Sequence, residues 1–527
     1  MAIITFLLFT ALVAIASYFL AGKAEDTSES YFLGGRSLTA GVIAGSLLLT
    51  NLSTEQIVGL NGQSFTEGIL VMCWETLAAM AMVVTALFLL PRYLKGGLTT
   101  VPQFLEKRYD TMTKTITSGL FLSGYAIVLL PTVLYSGSLA IVTMFDLPAN
   151  LGLSHTACLW LCVWAIGIIG SFYAIWGGLK AVAVSDTINA VGLLFGGIMI
   201  TVLGLKYIGD DSIITGLTNL YNNDPDKFNA IGGSDAAVPF STIFTGMMLV
   251  QLFYWGTNQA IIQRALGAKN LKEGQKGLLI AAFFKILGPL ILVVPGMIAF
   301  YIFKGDLEIA DQAYPKLVKT VLPVSMVGLF AAVLFGAILS SFNSALNSSV
   351  TLFGLDIYKE HINKDASEAQ IIKYGKRFGL LLAFFAMFIA PLIANVPGGL
   401  FGHLQEFNGC YSIPILTIIV VGYLTKYIPA IAAKIAIVLG SVLYFISQFI
   451  LKPYVFGEEN YPHFLHVMAI LFVMNILIMI VIGMIKPREK AFELAYTEQV
   501  DITPYRFVKP VGLAIVITVI ASYVYFS

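Results

Sequence analysis

Fourteen apolar stretches of about 20 residues or more, each long enough to cross a bilayer as a helix, constrain this chain before anything else does. They lie at about 1–21, 38–65, 68–94, 115–145, 153–175, 181–208, 239–263, 277–303, 324–353, 377–396, 399–424, 429–451, 462–485 and 508–526. The longest polar loop, 209–237, leaves no room for a separate soluble domain. Only 12% of the 527 residues are charged, against about a quarter in globular chains, so a bilayer is the expected main solvent. A net charge of +1 supplies no basic stripe for nucleic acid.

The opening stretch, MAIITFLLFTALVAIASYFLAG, has no basic residue before it. It also exceeds the apolar core of a signal peptide, about 7–15 residues, and is expected to persist as a helix. Of the 31 Lys and Arg residues, 24 fall in the loops of one side. The other side holds Lys206, Lys227, Lys304, Lys316, Lys319 and Lys452, and Lys285 alone lies inside a helix. Basic loops stay on the cytoplasmic face. The pattern therefore predicts an even helix count, a multi-pass protein of the cell inner membrane and both termini outside. Cys73, Cys158, Cys162 and Cys410 all lie in apolar runs without a metal-ligand spacing, which reads as packing.

Function is sought where polar residues break the apolar pattern, because such groups are costly in hydrocarbon unless paired or wetted. The second helix is interrupted by Asn51-Leu52-Ser53-Thr54-Glu55-Gln56, with Gly59 and Gly62 following. Unwinding there would free carbonyls for a cation and present Asn51 and Gln56 to a solute; an interhelical hydrogen-bond seam is the competing reading. Glu75 lies in the third helix, and Lys285, in the eighth, falls near the midplane with Glu75 as candidate partner. The pair could equally be structural. The seventh helix carries Gln251, Tyr254, Trp255, Gly256, Asn258, Gln259 and Gln263, suggesting a second break five spans after the first. That spacing suits two five-helix halves in inverted orientation. The ninth helix clusters Ser340, Ser341, Asn343, Ser344, Asn347, Ser348 and Ser349, oxygen ligands suited to a weakly held monovalent ion, or small residues allowing close helix approach. No Walker sequence or supported nucleophile–base pair is present, so no enzyme is expected, and transport would need an ion gradient.

These residues resemble the solute:sodium symporter family, in particular its bacterial sodium/galactose–glucose branch. The likeness is carried by NLSTEQIVGLNGQ from Asn51, LPRYLKGGLTTVPQFLEKRYD from Leu90 and WGGLKAVAVSDTIN from Trp176. It continues in FYWGTNQAIIQRALGAKNLKEGQKG from Phe253, AILSSFNSALNSSVTLFGLDIYKE from Ala337 and FGHLQEFNG from Phe401. The resemblance implies an all-α membrane protein with a leucine-transporter-like core of two inverted five-helix repeats, at 38–208 and 239–424. One helix, 1–21, precedes the core, and three follow in 429–527.

The resemblance further implies a sodium site from the carbonyls of Leu49, Leu52 and Ala337 and the hydroxyls of Ser340 and Ser341. It implies a sugar site from Asn51, Gln56, Glu75, Gln251, Lys285 and Gln405, with Tyr254 stacking on the solute and Asp186 on the ion's exit route. Sugar, sodium and lipid are the expected partners, with no nucleic acid and no obligatory protein. The chain departs from the branch at Gln251 (Asn there), Ala78 (Ser) and Trp74 (Tyr), which leaves the particular sugar open. Asn343-Ser344, where two-sodium relatives have paired hydroxyls, favours one ion per solute. Inositol, sialic acid, an amino acid or a carboxylate remain alternative solutes, and an uncoupled sensor or channel an alternative activity.

Overall fold

The computed structural model describes residues 4–8, 10–12, 28–304, 307, 309–395, 400–457 and 460–527; side chains at 28–30, 173, 175–181, 395 and 400 are outside the description. Among the described residues ten helices are long and apolar enough to cross a membrane, or eleven if the bent pair Leu271–Leu287 and Pro289–Phe303 is one span. Two further spans are broken into arms, as the polar interruptions predict. The first joins α1 (Ala40–Asn51) and α2 (Thr54–Glu67). Gly68, at φ 77°, turns the chain from α2 towards α3 (Cys73–Val84). A side chain there would strike the backbone of Lys227 as well as strain the turn. The leading helix, expected over 1–21, lies for most of its length outside the described residues.

The fifth and sixth expected spans form one hydrogen-bonded helix, α4 (His155–Ile208). Both of its apolar arms, His155–Phe172 and Val182–Ile208, nevertheless reach one cavity. Ile169 and Asp186 line the same cavity, though a straight helix would hold them about 25 Å apart. Next come α5 (Gly246–Gly256) and α6 (Gln259–Leu266), the arms of the second broken span. They are followed by α7 (Leu271–Leu287), α8 (Pro289–Leu292), α9 (Val324–Thr351) and α10 (Leu400–Leu424). Three apolar helices after α10 cover Ala430–Phe456, Phe464–Ile485 and Val508–Tyr525.

Between the last two runs an extended strap, 486–507. Its Arg488 and Phe492 N–H groups donate to the Tyr427 and Lys426 carbonyls, and Thr497 N–H donates to Lys95 O. Leu271 N–H in turn donates to Asp501 O, and Tyr505 N–H to the Gln275 side chain. The helix Phe464–Ile485 is capped by His463, whose Nδ1 accepts from Leu465 N–H at 3.3 Å while Nε2 lies 3.2 Å from Ala237 O. Burial holds that imidazole down at about 4.

Candidate solute and ion site

The first break arises where α1 makes its last helical bond, Leu52 N–H to Leu48 O at 2.6 Å. Leu52 leaves helical geometry (ψ 54°) and Ser53 is extended before α2 restarts. The terminal carbonyls of α1 are thus released from helical pairing. At the second break Tyr125 acts as a clasp. Its hydroxyl donates to Asn258 Oδ1 at 2.7 Å and accepts from Ala260 N–H at 2.9 Å, while Asn258 Oδ1 caps the same N–H.

A cavity of about 30 Å³ lies between these breaks. Asn51, Gln56, Glu75, Gln251, Tyr254 and Gln405 all line it, so two broken helices, α3 and α10 deliver the expected set to one place. Five apolar residues complete it: Trp74, Ala78, Val250, Trp255 and Phe401. Trp74 packs edge-on to Phe401 with ring centroids 5.0 Å apart. Space for about one or two waters cannot hold a hexose, so the walls must part to admit one.

Lys285 does not line this cavity; it stands behind Glu75. Its Nζ donates to both carboxylate oxygens, at 2.7 and 2.5 Å, and lies 5.5 Å from the Trp255 ring centroid. Both side chains are within 2% of full burial. Gln251 is likewise engaged, its Nε2 donating to Trp74 O at 2.9 Å. The pairing of Glu75 and Lys285 expected from hydropathy is what the geometry shows.

A second cavity, about 120 Å³, lies between α4 and α9 and is lined by Ser185, Asp186, Asn189, Ser340, Asn343 and, from the leading helix, Thr10. Ser341 Oγ donates to Thr50 O at 3.0 Å, tying α9 to the first break. Ser340 Oγ and both amide atoms of Asn343 are buried without a hydrogen-bond partner of normal geometry. Uncharged oxygens at a helix break, one of them orphaned, fit a weakly held sodium ion. Among the described residues no cluster of three or more His, Cys, Asp or Glu could hold a metal of another kind.

Arg264 is the residue that sequence reasoning misplaced, grouping it with basic loop residues. It lies in α6, fully buried. Its Nε donates to Ser46 Oγ at 3.1 Å, and Ser46 donates to Asp186 Oδ2 at 2.8 Å. The direct approach to Asp186 is only 3.9 Å. The remaining guanidinium nitrogens reach Ser344 Oγ and Ala260 O. A helix-end arginine next to Gln263 carries no sequence signal that separates this insertion from membrane anchoring.

The profile of the sodium:solute symporter family matches residues 31–440. The chain belongs to that family. It is 46% identical over 522 residues to the uncharacterized symporter YidK of Escherichia coli K12, covering 99% of this chain and 90% of the relative. It is 33% identical over 438 residues to the sodium/glucose cotransporter of Vibrio parahaemolyticus, covering 79% and 78%. A substrate-bound, outward-open structure of a sodium-coupled sialic acid symporter superposes with a TM-score of 0.78 at 18% identity, over 93% of this chain and 99% of that one. This symporter is therefore an all-helical, multi-pass membrane protein of the leucine-transporter-like fold, and the ion it uses is sodium.

Proposed function

We propose that this symporter couples sodium entry to uptake of a neutral, polyhydroxylated solute, a hexose such as galactose or glucose, by alternating access. The observation that carries the reading is the convergence of Asn51, Gln56, Gln251 and Gln405 around the Glu75–Lys285 pair. The site has no net charge from that pair and offers both donors and acceptors, which ring hydroxyls require. An anionic solute would want an uncompensated cation, and Lys285 is already matched. Tyr254 and Trp255 supply apolar faces for the ring carbons.

In this reading Leu49, Leu52 and Ala337 carbonyls and the Ser340 and Ser341 hydroxyls hold sodium, and Asp186 lies on its inward route. Sodium joining the first break to α9 favours the arrangement in which the solute residues are assembled; its departure loosens that junction and releases the solute inward. The coupling is a free energy shared by the two sites, so solute must tighten sodium as much as sodium tightens solute. One cation crossing 100 mV gains about 2.3 kcal/mol, enough for roughly fifty-fold accumulation. The reading includes repeats at 38–208 and 239–424, three further helices in 429–527, an inner-membrane location and both termini outside.

Purified protein in liposomes tests it by galactose and glucose uptake under inward sodium, potassium or proton gradients. Sodium-driven uptake that one hexose epimer competes better than the other is the expected result. Absence of sodium-driven hexose uptake in folded protein would overturn the hexose and direct the search to inositols, sialic acids and amino acids.

A further inference from the structure

Gly288 joins α7 to α8, where the span bends by 46°. Pro289 follows it and has no N–H to offer the Lys285 carbonyl, which accepts instead from Gly288 N–H at 3.1 Å. A proline there also crowds that carbonyl, which accounts for the bend. Gly288 itself has ordinary helical angles, φ −49° and ψ −43°, so its backbone does not call for glycine. Space does. A Cβ on Gly288 would overlap Glu75 Oε2 and come within 2.9 Å of Lys285 O and 3.2 Å of Glu75 Cδ. The carboxylate lies in the volume that any other side chain would occupy.

We propose that Gly288 is a positioning residue for the solute site. Its bare Cα forms the niche that seats the Glu75 carboxylate between Lys285 and the cavity, so that one face of the carboxylate is turned to the solute residues while the ammonium stays behind it. The inference rests on the solute-site reading above, and it explains how a buried ion pair belongs to the site although only its acidic member reaches the cavity. Adding one methyl group displaces Glu75 and misaligns the pair. Shortening Glu75 by one methylene gives that room back.

The test uses full-length protein in liposomes, with sodium-driven uptake of radiolabelled galactose or glucose, and thermal unfolding of the same preparations in detergent. Gly288→Ala is expected to raise KM for the solute about tenfold, the equivalent of about 1.4 kcal/mol. Maximal rate and sodium activation should stay near those of the parent. Glu75→Asp alone is expected to impair uptake, and the Glu75→Asp/Gly288→Ala double variant to recover KM to within about threefold of the parent, with the unfolding midpoint following the same order. An unaltered KM in Gly288→Ala, or a double variant no better than the worse single one, overturns the proposal. If the parent takes up no hexose, the solute reading fails by itself, and reciprocal rescue of the unfolding midpoint still decides whether Gly288 makes the niche.

Discussion

Around Glu75 the buried charges meet directly, although Asn51 Oδ1 and Trp74 Nε1 of the same lining lack a hydrogen bond. Asp186, by contrast, reaches Arg264 mainly through Ser46 and has the unpaired amide of Asn343 beside it. The first cavity has Lys285 on both Glu75 oxygens and Gln251 on the Trp74 carbonyl, with about 30 Å³ left between the walls. The second is about 120 Å³; both amide atoms of Asn343 lack a hydrogen bond there, and the Ser340 hydroxyl faces Asp186. A solute entering the first must exchange existing hydrogen bonds for its own, so its net gain is small and geometry decides which solute succeeds. The second has standing capacity for a ligand that needs only oxygen. In the proposed reading, specificity thus belongs to a region of matched charges and ion capture to one with spare uncharged oxygens.

Breaking the paired side should have the largest effect. Lys285→Ala strands a buried carboxylate and is expected to cost about 3–5 kcal/mol of stability together with loss of solute binding, read by thermal unfolding and equilibrium binding. Replacing both members, Glu75→Gln with Lys285→Met, should recover most of the stability and none of the binding. Normal affinity in either variant would make the pair purely structural. On the ion side, Ser341→Ala removes one hydrogen bond to Thr50 O and should cost about 1 kcal/mol of stability. The sodium concentration for half-maximal uptake is expected to rise about tenfold, and unchanged sodium activation takes Ser341 out of the ion site.

A smaller change sharpens the contrast itself. Asn343→Leu keeps the shape and removes an amide whose two polar atoms have no partner, so stability should hold or rise by about 1 kcal/mol. A clear loss of stability would show that the amide is satisfied in the membrane and that the two cavities are alike. The smallest effect lies away from both. His463 has its pKa lowered to about 4 from an ordinary value near 6.5. Between those values the unfolded chain binds a proton that the folded chain does not, so the stability present above about pH 6.5 declines as pH falls. The expected loss is about 1 kcal/mol between pH 7 and 5.5. His463→Asn should flatten that dependence in a melting series without moving KM or sodium activation.

Much of this division can be read from the residues alone, and the exceptions share a cause. Asn51 to Gln56, Glu75 and Lys285 stand out because each violates the apolar pattern of its own helix, and the two breaks follow from the same violations. The partnership of Glu75 with Lys285, 210 residues apart, was a candidate on charge alone and needed the fold to become a distance. Gln405 and the carbonyls proposed to hold the ion carry no local signal and come from family resemblance. Phe401, Trp255 and Val250 are apolar residues in apolar helices, so nothing marks them as cavity walls. Gly288 is silent because its backbone is ordinary and its neighbour lies on another helix. Arg264 misled for the opposite reason: a cation at a helix end has a simpler explanation than insertion beside Asp186.

The strap at 486–507 bears on how the chain is made. Lys95, at the end of the third span, accepts from Thr497, which is 402 residues later. At about 5–20 residues per second, roughly 20–80 s of synthesis separate the two. Throughout that interval the turn after Lys95 is without its final partner, and the start of α7 awaits Asp501 in the same way. The early turn has local support in the meantime, because Lys107 donates to Gly96 O at 2.7 Å and Arg36 to Gly97 O at 3.1 Å. The ribosome thus delivers provisional fastenings first, and the chain is laced only as its last helices enter the membrane.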